Sequence, residues 1–316
     1  MNIALQLLLL VVGFVMLVKG ADWFVEGASS LAERFGIPQL VIGLTIVAMG
    51  TSLPEAAVST SAALKGSAEI TIGNVLGSNI MNVLLILGIT AAISPLLVQK
   101  STVKYEIPIV IAASLLLPAL GLFDGTVGRL EGLILLIGMA LYMLYLLRMT
   151  KKGQAEAAVE EKKEDDKKSS ILKTLLMILI GGVMIVIGSD VTVDAATELA
   201  RIFGMSERLI GLTIVAFGTS LPELVTSATA AIKGKADIAV GNIVGSNLFN
   251  ILFVVGITAT ITPVVYSNAF LIDSIACIAA AVLLWLCVLR KQKLSRSGGI
   301  IMLVCYGAYF VYLLQG

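Results

Sequence analysis

Residues 46–55 read IVAMGTSLPE, and residues 214–223 read IVAFGTSLPE. The likeness extends well beyond these ten positions. Between Val41–Pro95 and Leu209–Pro263, 33 of 55 positions are identical at a constant offset of 168 and without a gap. Thus Glu55 answers to Glu223, Asn74 to Asn242, Ser78 to Ser246 and Pro95 to Pro263. Such a duplication predicts two copies of one unit, and repeats of this kind are common in membrane transporters, where they surround a shared site. Each copy sets a proline and a lone carboxylate near the middle of a long apolar run. An ionisable group there costs about 2.5–3.5 kcal/mol on insertion scales, so two in matching contexts call for a function.

Composition supplies the setting. Of 316 residues, 58% are hydrophobic and 14% are charged, with a mean hydropathy of +1.00. A soluble domain is nearer 25% charged. The apolar runs reach the roughly 20 residues that span a bilayer. We therefore expect an all-α polytopic membrane protein of ten transmembrane helices, at about 2–20, 38–64, 69–98, 106–123, 128–147, 171–188, 207–232, 236–265, 268–289 and 299–314. Residues 1–148 and 171–316 each hold five spans. Between them, residues 149–170 carry six acids and six lysines and read as a solvated linker. A net charge of +1 gives no case for a nucleic-acid partner. Cys277, Cys287 and Cys305 lie in apolar spans without metal-ligand spacing. There is no histidine, GxSxG or HExxH, which argues against an enzyme. Nothing in the sequence points to a cofactor or to an obligate protein partner.

Charge sets an expected orientation. Assigning alternate loops to one side gathers 18 of the 22 lysines and arginines there, leaving Lys65, Arg129, Arg201 and Arg208 on the other. The rich side, which includes the linker, is then cytoplasmic and both termini face outside. Five spans is an odd number, so the second unit enters the membrane from the opposite side. The two five-helix repeats are expected to have inverted topology.

The motifs carry oxygen chemistry. Pro54 and Pro222 lack an N–H, and Gly50 and Gly218 weaken the helix before them, so backbone carbonyls around Ala48–Thr51 and Ala216–Thr219 are expected to turn toward a cavity. Thr51 and Ser52 lie four and three residues before Glu55, on much the same helix face, as Thr219 and Ser220 do before Glu223. The next span reads GNVLGSNIMN at 73–82 and GNIVGSNLFN at 241–250. Its glycine spacing suits close helix packing. Ser78 with Asn82, and Ser246 with Asn250, each share a face and need partners inside the protein, whether across helices or from an ion. Two carboxylates with carbonyls, hydroxyls and amides are hard donors. With no thiolate or imidazole among them, they disfavour zinc, copper and nickel. Calcium takes six to eight oxygens, and sodium also accepts them.

These paired GTSLPE and GNxxGSN motifs resemble the two alpha-repeats of sodium/calcium exchangers, of the calcium:cation antiporter superfamily, at about residues 36–95 and 204–263. The resemblance implies that Glu55 and Glu223, with the carbonyls of Thr51 and Thr219, bind calcium. It implies flanking sodium sites that draw on Ala48, Thr51 and Ser78 and on Ala216, Thr219 and Ser246, with the same glutamates. Asn82 and Asn250 would line the middle, with Ser52 and Ser220 as secondary candidates. Calcium and sodium would compete for the shared donors, and the first and sixth spans would act as sliding gate helices that alternate access from the two sides of the bilayer. Some relatives carry aspartate where this chain has Asn250, the potassium-dependent exchangers among them, so potassium cotransport is not expected. Two carboxylates balance one Ca2+; three Na+ would leave one excess positive charge and make exchange electrogenic. The linker is too short for large calcium-sensing domains, which suggests a microbial type. The main alternative is a proton/calcium antiporter using the same glutamates; a gated cation channel is a weaker one. Asp22 and Glu26 match Asp190 and Asp194. They are expected where the first and sixth spans end, as a solvated interfacial face or an ion-entry rim.

Overall fold

A computed structural model describes residues 3–68, 70–159, 170–205, 214 and 216–315. Helix α1 (Ile3–Phe35) is followed by a bent pair, α2 (Gln39–Thr51) and α3 (Leu53–Leu64), meeting at 46°. Next come α4 (Ile70–Ile93), α5 (Thr102–Gly121) and α6 (Arg129–Val159). The second half holds α7 (Ile171–Ile202), a short turn at Ala216–Gly218, α8 (Leu221–Ile232), α9 (Ala236–Ile261), α10 (Phe270–Leu289) and α11 (Arg296–Gln315). Among the described residues, eight helices are long and apolar enough to cross a membrane, and the bent pair makes a ninth. The expected span at 207–232 is described only at 214 and from 216 on. Residues 160–169 of the linker also lie outside the described residues, while α6 continues past 148 to Val159.

Burial sorts the helices. In α9, 94% of the most apolar window is buried, against 22% in α1 and in α7. The near-enclosed α9 and α4 form the centre. The flanking α1 and α7 expose leucines and valines such as Leu8, Val11, Leu172 and Leu179, which suit lipid. Two expectations need correcting here. The first and sixth helices do not end near 20 and 188; each runs on for about four more turns, to Phe35 and Ile202. At 1.5 Å per residue each is about 50 Å long, well beyond the hydrocarbon thickness, so they must tilt or protrude. Asp22, Glu26, Asp190 and Asp194 are therefore within helices rather than at their ends.

α1 and α7 pack antiparallel through glycine. A Cβ on Gly20 would lie 2.9 Å from the Gly181 carbonyl oxygen, and one on Gly181 would lie 2.7 Å from the Gly20 carbonyl oxygen. Only glycine permits that approach. Two small ladders close the ends of the bundle. β1 (Leu96–Leu97) pairs antiparallel with β4 (Lys293–Leu294), and β2 (Thr126–Val127) with β3 (Val264–Val265). The contacts recur between halves. Gly132 meets Gly256 and Ala259; Gly299, its counterpart 167 residues on, meets Gly88 and Ala91, the counterparts of 256 and 259 at an offset of 168.

Candidate functional site

The bend in the first motif falls at Ser52, whose φ of −86° and ψ of 8° interrupt the helix between Thr51 and Leu53. Pro54 then occupies the first turn of α3, where its missing N–H is no loss. Ser220 repeats the break, with φ −92° and ψ 2° before Pro222. Each glutamate therefore sits in the first turn of a helix, at its positive end, and each is fully buried. The second motif of each half is distorted too. A π-helical turn covers Met81–Leu87 in α4, and its counterpart covers Phe249–Val255 in α9. One extra residue per turn re-aims the side chains that follow.

These breaks gather one buried polar cluster from both halves. The Ser52 hydroxyl donates to Glu223 Oε1 across the halves at 2.9 Å, and the Ser246 hydroxyl lies 3.4 Å from both that oxygen and the Ala48 carbonyl. The Ala48 carbonyl also accepts the Ser52 N–H at 3.0 Å, so it is not wholly freed by the break. Thr51 donates to Asn242 Oδ1 at 3.0 Å, and Asn242 Nδ2 donates to Ser227 Oγ at 3.0 Å. In the first half Asn74 Nδ2 donates to Ser59 Oγ at 3.0 Å and to the Glu55 carbonyl at 3.3 Å. In the middle, Asn79 and Asn247 exchange side-chain-to-carbonyl bonds at 3.1 and 3.2 Å. Asn82 donates to Asn247 Oδ1 at 3.0 Å, and Asn250 to Asn79 Oδ1 at 3.2 Å.

Buried polar atoms are normally hydrogen-bonded, so the exceptions matter. Among the described residues, both carboxylate oxygens of Glu55, Glu223 Oε2, Asn82 Oδ1, Asn250 Oδ1 and Ser220 Oγ have no partner. Five of these six are acceptors only. An excess of buried acceptors, three of them carboxylate oxygens, suits a cation. Ser78 and Ser220 flank the Glu55 carboxylate. Thr219 lies in the short stretch after Ala216–Gly218 and, with Gly218, lines a cavity of about 490 Å³ that also reaches Pro54. Of Ala216 only the backbone is described.

The structure thus brings together Thr51, Ser52, Glu55, Ser220, Glu223 and Ser246, and links Asn82 to Asn250 through a central asparagine quartet. Asn79 and Asn247, which hold the quartet, and Asn74 and Asn242, which anchor the glutamate helices, were not among the expected site residues. Their positions in GNxxGSN were the available signal.

A protein-family model described as sodium/calcium exchanger protein matches residues 5–148 and 173–315, which is nearly the whole chain. This chain belongs to the sodium/calcium exchanger family. The exchanger is 36% identical to the inner membrane protein YrbG of Escherichia coli (strain K12), over 96% of this chain and 94% of that one. It is 34% identical to the sodium/calcium exchanger MaX1 of Methanosarcina acetivorans, over 98% and 99%. A solved structure of the sodium-calcium exchanger NCX_Mj, soaked with 10 mM Na+ and zero Ca2+, superposes with a TM-score of 0.84 at 32% identity, covering 98% and 99% of the two chains. Family membership makes the protein an integral membrane cation/calcium antiporter, of the microbial type.

Proposed function

We propose that the exchanger moves calcium against sodium by alternating access to one shared site built from both halves. The observation that carries this reading is the set of unpartnered buried oxygens on Glu55, Glu223, Asn82, Asn250 and Ser220. Glu55 and Glu223 bind calcium, and their charge of −2 neutralises it. The carbonyls of Thr51 and Thr219 complete its shell, with Ser52 and Ser220 beside them. Sodium takes the same glutamates together with Ala48, Thr51, Ser78 and Asn82 on one side and Ala216, Thr219, Ser246 and Asn250 on the other. Because the two ions share donors, each leaves when the other fills the site. Three sodium ions per calcium would carry one net charge.

The halves are two inverted five-helix repeats, 1–148 and 171–316, joined by a cytoplasmic linker with both termini outside. The antiparallel α1/α7 pair, the recurrence of contacts at offsets of 167 and 168, and the basic excess on the linker side support this topology.

Calcium-45 uptake tests the coupling. Proteoliposomes loaded with sodium and diluted into sodium-free buffer take up calcium under this reading. Potassium or choline inside does not support uptake, and neither does a pH gradient alone. Uptake driven only by a proton gradient would replace sodium with protons as the coupling ion.

A further inference from the structure

Asp22 and Glu26 on α1 occupy the positions that Asp190 and Asp194 occupy on α7, yet the two pairs have different surroundings. On the linker side, Lys233 Nζ lies 2.6 Å from Asp22 Oδ1 and 3.3 Å from Glu26 Oε2, and Lys235 Nζ lies 3.3 Å from Glu26 Oε2. Both lysines sit in the short connection between α8 and α9. The Phe24 ring, between the two acids, covers Gly50: a Cβ there would lie 2.9 Å from the ring. Phe24 itself is buried. On the far side, the counterpart of Lys233 is Lys65, that of Lys235 is Ser67, and that of Phe24 is Thr192, with Val193 packed over Gly218, the counterpart of Gly50. Among the described residues, Asp190 and Asp194 form no ion pair with Lys65, which is exposed. They line the cavity of about 490 Å³ with Pro54, Ala57, Gly218 and Thr219.

We infer that these charges form a reciprocal latch on the gate helices, engaged on the linker side here by Lys233 and Lys235 and engaged on the far side, in the opposite state, by Lys65. The inference rests on the alternating-access reading above. With α1 clamped to the α8–α9 connection by these ion pairs, the linker side is shut. With Asp190 and Asp194 unbridged, the far side opens through an acidic cavity to Thr219 and to the residue before Glu55. Such a cavity concentrates cations at the mouth of the site. When the gate helices shift, Asp22 and Glu26 lose their lysines and form the acidic mouth of the linker side, while Lys65 clamps Asp190 and Asp194. Partly exposed ion pairs are individually weak, which suits a latch that must open in every cycle. Two lysines against one bias the resting population toward the far-open state.

The test is thiol accessibility, which does not depend on the coupling ion. In full-length protein carrying C287A and C305A, with the buried Cys277 retained, single cysteines are placed by A57C in the far cavity and V225C at the matching linker-side position. A water-soluble maleimide then labels A57C rapidly and V225C slowly. K233A/K235A is expected to raise the V225C rate about fivefold or more, and S67K to slow A57C by adding a second lysine to the far latch. The charge swap D22K/K233D is expected to restore protection of V225C. An unchanged V225C rate in K233A/K235A, or a swap that labels as fast as the double alanine variant, overturns the latch. An unchanged A57C rate in S67K overturns its reciprocity. If labelling responds as expected but wild-type protein shows no sodium-coupled uptake, the latch stands and the coupling ion is wrong.

Discussion

The two motif glutamates have near-identical sequence surroundings and different physical ones. Glu223 accepts a hydroxyl from Ser52 at 2.9 Å and has Ser246 at 3.4 Å; Ser78 and Ser220 flank Glu55, but neither of its oxygens forms a well-aligned hydrogen bond. Thr51 is buried and bonded to Asn242, whereas Thr219 lines a cavity and, among the described residues, makes no matching bond. Ser189 on α7 donates to the Gly218 carbonyl at 2.9 Å, while the matching residue on α1 is Ala21, which has no hydroxyl. A duplicated sequence does not hold both halves in one conformation at once. Under the proposed inverted repeat and alternating access, one side is satisfied and closed while the other is unsatisfied and open, and transport would exchange those roles.

The largest effect expected is at the carboxylates. On the proposed assignment E55Q and E223Q each remove one of the two charges that balance calcium, and each is expected to abolish sodium-driven calcium-45 uptake while leaving the protein folded by thermal unfolding in detergent. Retained uptake in either variant would show that the halves are not joint owners of the site. The next effect concerns the asparagine quartet. N79A or N247A deletes two buried hydrogen bonds and strands their partners, at about 1–3 kcal/mol per stranded group. A clear fall in the detergent melting temperature is expected, larger than for substitutions on the exposed face of α6. Smaller still is the serine comparison. S52A removes a well-formed bond and S220A only a looser contact, so S52A is expected to weaken calcium binding roughly five- to tenfold and S220A much less. Equal effects would mean that the difference between the halves has no bearing on binding. Smallest is ionic strength: with K233A/K235A the salt dependence of V225C labelling is expected to flatten, because the screened pairs are gone.

Much of the centre was legible in the sequence because its signals are local. GTSLPE combines a helix-breaking proline with a carboxylate that has no business in lipid unless it binds something, and the offset of 168 pairs every donor with a partner. The lengths of α1 and α7 were not legible. Asp22 and Glu26, like Asp190 and Asp194, look like the end of an apolar span, yet both helices run on through them; the partners Lys233 and Lys235 that meet the first pair lie more than 200 residues away. The inward role of Asn79 and Asn247 was hidden for a different reason. Face assignments assume 3.6 residues per turn, and the π-helical turns that begin at Met81 and Phe249 shift the register within the same motif. The resting asymmetry could not be read either, since it depends on which of two matched packings is occupied.

The central claim is that both halves build one site for which sodium and calcium compete. Calcium titration calorimetry on purified protein at rising sodium tests it most directly. The account predicts one calcium per chain, an apparent Kd that climbs steeply with sodium but not with equal potassium, and loss of the heat in both E55Q and E223Q. Calcium binding that ignores sodium, or that survives either substitution, would contradict it.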